Sequence, residues 1–160
     1  MNLRITVVSS LLIGLAVASA GQTKQAAAPA KKSAAAPVAG GPTIVTGDPV
    51  TTPSGLKYWN IRVGTGSKAI DGMNVMVHYT GWIAGGKKFD SSVDRKQPFQ
   101  FTLGRGQVIP GWEEGVTGMR AGGKRQLRVP PALAYGTSGF GSSIPPGATL
   151  IFDIQLLAVN

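Results

Sequence analysis

The chain has 160 residues, 16 of them Lys or Arg and 7 Asp or Glu, giving a formal charge of +9. That length holds one domain of ordinary size with appendages, and not two catalytic domains. With no cysteine and a single histidine, His78, it excludes disulfides, thiolate nucleophiles and Cys-ligated zinc, and lacks the usual material for a His-rich metal site or a Ser-His-Asp triad.

Met1 to Ala20 reads as a signal peptide: Arg4 in a short n-region, an apolar stretch from Ile5 to Val17, and Ala18-Ser19-Ala20 as a small-residue cleavage site. The stretch is shorter than the roughly 20 residues of a spanning helix. No cysteine follows it to take a lipid. The expectation is an exported protein, periplasmic or secreted, with no membrane span after cleavage. Residues 21–52 turn to Ala, Pro, Gly, Lys and Thr without helical or strand period, the composition of a flexible linker. Lys24, Lys31 and Lys32 lie here, and the remaining basic residues are scattered without a run of five. The charge therefore reads as a solubilising surface, not a nucleic-acid interface.

The folded domain is expected over residues 53–160. A turn at Pro53-Ser54-Gly55 precedes a strand-like segment from Leu56 to Val63. Val75, Val77 and Tyr79 alternate with Met76, His78 and Thr80, the period of a sheet with two unlike faces. Phe99 to Leu103 alternates likewise, Lys124 to Val129 makes a short strand, and Thr149 to Val159 a long apolar one. A helix is predicted from Pro110 to about Thr117. Proline suits its first position, Glu113 and Glu114 its positive end, and Trp112, Val116 and Met119 at i, i+4 and i+7 its apolar face. Antiparallel strands with one short helix give an α+β domain whose sheet wraps around that helix.

Familiar catalytic patterns are missing. Glu113 and Glu114 are adjacent on a helix and point in different directions, so dipole stabilisation is their simpler reading. Asp90 and Asp94 near Arg95 are compatible with an ion pair beside a pocket or with a solvated loop. Gly64-Thr65-Gly66, Gly104-Arg105-Gly106 and Gly122-Gly123 complete no phosphate-binding pattern and read as turns. His78 reads as a surface or packed residue. What remains is a supply of aromatic and aliphatic side chains near turns, which composition alone assigns to core.

Six blocks change that assignment. Val77-His78-Tyr79-Thr80-Gly81, Lys88-Phe89-Asp90-Ser91-Ser92, Gln97-Pro98-Phe99, Val108 to Gly115, Ala134-Tyr135-Gly136 and Ile144-Pro145-Pro146 resemble the motifs of the FKBP family, in order and spacing, across nearly all of residues 54–158. The resemblance implies a five- to six-stranded antiparallel sheet around a short helix, and peptidyl-prolyl cis-trans isomerase activity without cofactor or metal. It further implies a monomer whose partners are proline-containing polypeptides and whose pocket also takes macrolide inhibitors.

By position, Tyr79, Asp90, Ile109, Trp112 and Tyr135 would carry catalysis: Trp112 as the floor under the prolyl ring, the Ile109 N–H and Tyr135 hydroxyl on peptide carbonyls, and Asp90 facing the twisting amide, oriented by Arg95 and Tyr79. Phe89, Arg95, Phe99, Val108, Phe140, Ile144 and Phe152 would line the substrate site. Phe140 stands where the family often has histidine and Ser143 where it often has isoleucine. Both changes fall in the loop that overhangs the pocket. The competing reading is a noncatalytic module or chaperone that holds proline segments; the short Gly136 to Gly147 loop leaves no room for the insertion seen in chaperone-type relatives.

Overall fold

The computed structural model describes residues 40–160; the expected signal peptide and residues 21–39 of the expected linker lie outside them. Among the described residues the strands are β1 (Val50–Thr51), β2 (Lys57–Arg62), β3 (Asn74–Ile83), β4 (Lys88–Ser91), β5 (Phe99–Thr102), β6 (Lys124–Val129) and β7 (Leu150–Val159). One α-helix, α1 (Pro110–Val116), precedes β6, and a single 3-10 turn at Pro131–Leu133 follows it. All pairings are antiparallel, in the order β1-β2-β6-β7-β3-β4, with β5 on the first half of β3.

The architecture is the α+β one expected, with seven strands where five or six were expected. Two were missed. β4 is short, and its sequence, Lys-Phe-Asp-Ser, has the composition of a turn; it is a strand because β3 offers it an edge at Thr80 and Gly81. β1 has two residues and lies inside the segment read as linker.

The central strands carry the core. Val75, Val77, Leu127, Val129, Leu150, Ile154 and Leu156 are fully buried, and α1 lays Trp112 and Val116 against them. The helix approaches β6 closely because Gly111 and Gly115 face it: a Cβ on Gly115 would stand 2.5 Å from Leu127 Cδ1, and one on Gly111 2.3 Å from Val129 Cγ1. At the carboxyl end of α1 the Arg125 guanidinium donates from β6 to the Gly115 carbonyl at 2.7 Å and to Asn60 Oδ1 at 2.8 Å. It also lies 4.2 Å over the Tyr58 ring. The helix has no basic residue in its own last turn, so a neighbouring strand supplies the cation that its negative end favours.

The other face of the sheet is polar, and residues 40–47 cross it. Trp82 Nε1 donates to the Gly40 carbonyl and Trp59 Nε1 to the Gly47 carbonyl, both at 2.9 Å. Between them, Thr43 is buried. Its N–H (3.0 Å) and hydroxyl donate to one oxygen of Asp153, while Gln126 Nε2 donates to the Thr43 carbonyl (2.7 Å) and to the other oxygen of Asp153 (2.8 Å). Lys124 Nζ stands 3.7 Å from that carboxylate. Residues 40–47, within the segment read as linker, thus lie bonded against the sheet. The composition of this stretch is that of a linker, and its Thr43 is held by partners more than eighty residues away.

Candidate functional site

The helix-side face carries an aromatic enclosure. Trp112, 4% exposed, has four rings around it: Tyr79 at 4.8 Å between centroids, Phe152 at 5.3 Å, Phe101 at 5.9 Å and Phe99 at 6.1 Å. Phe89 meets Phe152 edge-on at 5.7 Å. Strand alternation explains the convergence. Tyr79 on β3, Phe99 and Phe101 on β5 and Phe152 on β7 project to the same side, and α1 brings the indole up beneath them; Phe89 joins them beside its neighbour Asp90 because the β3–β4 ladder shifts register between Gly81 and Trp82, leaving Phe89 without a partner. Val108 and Ile109, at the entry to α1, and Ile144 pack against the same core. Tyr135 and Phe140 form a half-stacked pair at 4.9 Å, with Phe140 60% exposed. Phe140 is held by a two-way backbone bridge to Ile144.

At the edge of this enclosure sits one polar group of consequence. The Asp90 carboxylate accepts from the Tyr79 hydroxyl on one oxygen and from Arg95 on the other, and Arg95 also donates to the Tyr79 hydroxyl at 3.0 Å. Burial pushes the Asp90 carboxyl up, but the Tyr79 hydroxyl and the Arg95 guanidinium hold it down more strongly, so its pKa lies below the ordinary 3.8. Burial and then the bond to Asp90 raise Tyr79; burial and then the charge of Asp90 raise Tyr135. At neutral pH the site therefore holds a carboxylate and two protonated phenols. Asp94 turns away from this group to pair with Lys88. Asp90 and Asp94 are thus separate ion pairs.

The residues found here include Tyr79, Phe99 and Phe152 around the Trp112 indole, Phe89, Asp90 and Arg95 at its edge, Val108, Ile109, Ile144 and Tyr135 against the same core, and Phe140 on Tyr135, all named from the sequence. Two were not singled out. Phe101 is nearly buried, stacked on Phe99 at 5.7 Å and in contact with the indole; its spacing of two from Phe99 was the available signal. Ser92, fully buried, was quoted in a motif and given no role. The glutamates of α1 diverge as expected: Glu113 accepts the Gly104 and Gly106 N–H groups at 2.6 and 2.9 Å, and Glu114 accepts from the Ser54 hydroxyl.

Among the described residues no three His, Cys, Asp or Glu side chains converge to hold a metal ion. On the opposite face a cavity of about 410 Å³ lies beside residues 40–43, lined among others by His78, Lys88, Asp94, Lys124 and Asp153. Its charges are paired to one another, Lys88 with Asp94 and Lys124 with Asp153. An apolar five-membered ring has no counterpart there, whereas the aromatic enclosure offers one floor and several walls.

A family model described as FKBP-type peptidyl-prolyl cis-trans isomerase matches residues 65–157. The FK506-binding protein of Neisseria meningitidis serogroup B is 53% identical over 105 residues, 66% of this chain and 96% of its own. FK506-binding protein 2 of Yarrowia lipolytica is 55% identical over 93 residues, covering 58% of this chain and 65% of that protein. Of solved structures, FkpA from Escherichia coli superposes with a TM-score of 0.66 at 43% identity, covering 70% of this chain and 51% of that one. AtFKBP13 does so with 0.65 at 40%, covering 69% and 97%.

Proposed function

Since the chain belongs to the FKBP-type peptidyl-prolyl cis-trans isomerases and is an enzyme of that class, we propose that it turns X-Pro bonds of exported proteins in the aromatic enclosure around Trp112, without a covalent intermediate. The observation that carries this reading is the placing of Trp112 among Tyr79, Phe99, Phe101 and Phe152 with the Asp90–Arg95 pair at the rim.

The physical task is rotation about a C–N bond whose resonance sets a barrier of about 18–20 kcal/mol. No bond breaks. A site accelerates the rotation when it binds the twisted amide better than either planar form. Twisting removes resonance, leaving a less polar carbonyl and a pyramidal nitrogen. A planar amide loses more on leaving water than a twisted one does, and an enclosure of rings favours the latter. Trp112 is the floor for the prolyl ring. The Ile109 N–H and the Tyr135 hydroxyl hold substrate carbonyls on one side of the turning bond. Asp90, kept ionised by Tyr79 and Arg95, acts on the amide as a fixed charge, not a nucleophile. Phe89, Val108, Ile144 and Phe152 close the walls, and Phe140 on Tyr135 forms a ledge for the residues flanking proline.

The same enclosure is the reading for macrolides of the FK506 type, after which the relatives are called. Export rests on residues 1–20, and the acting form is taken as a monomer with no nucleic-acid partner. Cis-trans exchange in X-Pro tetrapeptides, measured with Trp112→Ala and Asp90→Ala beside the native protein, tests the catalytic reading. Acceleration lost on substitution supports it; none from a folded protein leaves a proline-binding or chaperone module. Amino-terminal sequencing of the secreted form tests export, with Gly21 as the expected first residue.

A further inference from the structure

At the end of β4 the chain leaves its ladder with β3. Thr80 pairs with Ser91 and Gly81 with Asp90, and the Ser92 N–H still donates to the Tyr79 carbonyl at 3.0 Å. In a continued antiparallel ladder the Ser92 carbonyl would accept the Tyr79 N–H in return. It accepts the Gln97 N–H instead, at 3.1 Å, closing the loop that carries Arg95. The Tyr79 N–H is taken by Ser92 Oγ at 2.8 Å. A hydroxyl therefore stands in for a main-chain acceptor that has turned away.

That hydroxyl is fully buried. It accepts from the Tyr79 N–H, donates within reach of the Tyr79 carbonyl at 3.3 Å, and shares a hydrogen bond with His78 Nδ1 at 3.0 Å whose direction the imidazole tautomer sets. His78 comes from the polar face of the sheet, so the hydroxyl joins the two faces. Ser91 fastens the same corner, through Thr80 Oγ1 at 3.0 Å and the Asp94 N–H at 3.2 Å. The residues that meet at the rim of the enclosure are all tied to this point: Tyr79 through its backbone, Asp90 two positions before it, Arg95 inside the loop it closes. Alanine at 92 would strand the Tyr79 N–H in a dry interior and loosen the loop at its root.

We propose that Ser92, steadied by His78 from the far face, is the positioning residue for the Tyr79–Asp90–Arg95 group; this rests on the role given to Asp90 above. The test is isomerisation of a Leu-Pro tetrapeptide with kcat and KM resolved, for the native protein, Ser92→Ala, Asp90→Ala and the double variant. Ser92→Ala is expected to lower kcat about tenfold while KM moves less than about twofold. It is expected to add nothing once Asp90 is alanine, because the two act as one unit. An equal loss in both backgrounds, or full activity of a folded Ser92→Ala, overturns the proposal and leaves Asp90 its role. Full activity of Asp90→Ala removes that role and the proposal together. Should Ser92→Ala not fold, His78→Leu carries the same test by taking one partner from the hydroxyl. A loss of about twofold that vanishes in the Asp90→Ala background is expected, and an unchanged or additive rate overturns the proposal.

Discussion

The two faces of the sheet solve opposite problems. On the polar face Thr43, Gln126 and Asp153 are buried and answer one another's hydrogen bonds, and both Trp59 and Trp82 give their N–H to a main-chain carbonyl. On the helix face Trp112 Nε1 is buried without a partner. An unmet donor in a protein interior costs about 1–3 kcal/mol. On the proposed reading the helix face accepts that cost beneath the prolyl ring, whereas the polar face satisfies the groups just named and leaves only Asn74 Oδ1 of β3 buried without a partner among the described residues. The two faces thus divide the hydrogen-bonding work from the aromatic enclosure, and the Ser92 hydroxyl is where they are joined.

The largest blow to that separation is expected from Trp112→Ala, which should lower stability by about 3–5 kcal/mol in denaturant titration and remove isomerase activity as well. Asp153→Ala should break the polar face alone. It strands the Thr43 N–H and part of Gln126, and should cost about 2–3 kcal/mol while the rate per folded molecule stays that of the native protein. An equal drop in rate would show the faces to be coupled. Arg125→Met sharpens the contrast from within the helix face: losing the bonds to Gly115 and Asn60 should cost about 1–2 kcal/mol by thermal unfolding.

The smallest effect expected is that of pH. A carboxyl whose folded pKa is depressed contributes stability above its unfolded value and loses it as pH falls through the folded one. Asp90 lies below 3.8, so activity that depends on its charge should stay level as pH falls from neutral to about 5. In Arg95→Gln one depressing partner is gone, and the acid limb of the rate profile should move upward. A limb that stays put would separate the charge of Asp90 from catalysis.

Much of this was legible in the sequence, for reasons that can be traced to residues. β6 was bounded at Lys124 and Val129 as found, because alternation and flanking glycines are local signals. Trp112 and Val116 declared the buried side of α1 through their spacing; Met119 is buried as well, but the helix ends at Val116 and Gly118 turns the chain before it, so the helical spacing read for Met119 did not hold. The residues proposed for the pocket stood out only as blocks in family order; nothing in Tyr79 or Phe152 taken singly distinguishes a wall from core. β4 and the crossing segment at residues 40–47 were not legible, since what orders them is an edge of β3 and a carboxylate at Asp153, both remote in the chain. Ser92 was hidden for a subtler reason. Its part depends on where its own carbonyl points, which composition does not encode.

The three tryptophans are divided between those faces, one beneath the enclosure and two tied to the crossing segment. The protein thus carries its own set of optical reporters. With Trp59→Phe and Trp82→Phe, the remaining emission comes from the floor of the enclosure and follows occupancy by a proline peptide. With Trp112→Phe, it comes from the two indoles at the ends of the crossing segment and follows its detachment, so one cuvette can time events on either side of the sheet.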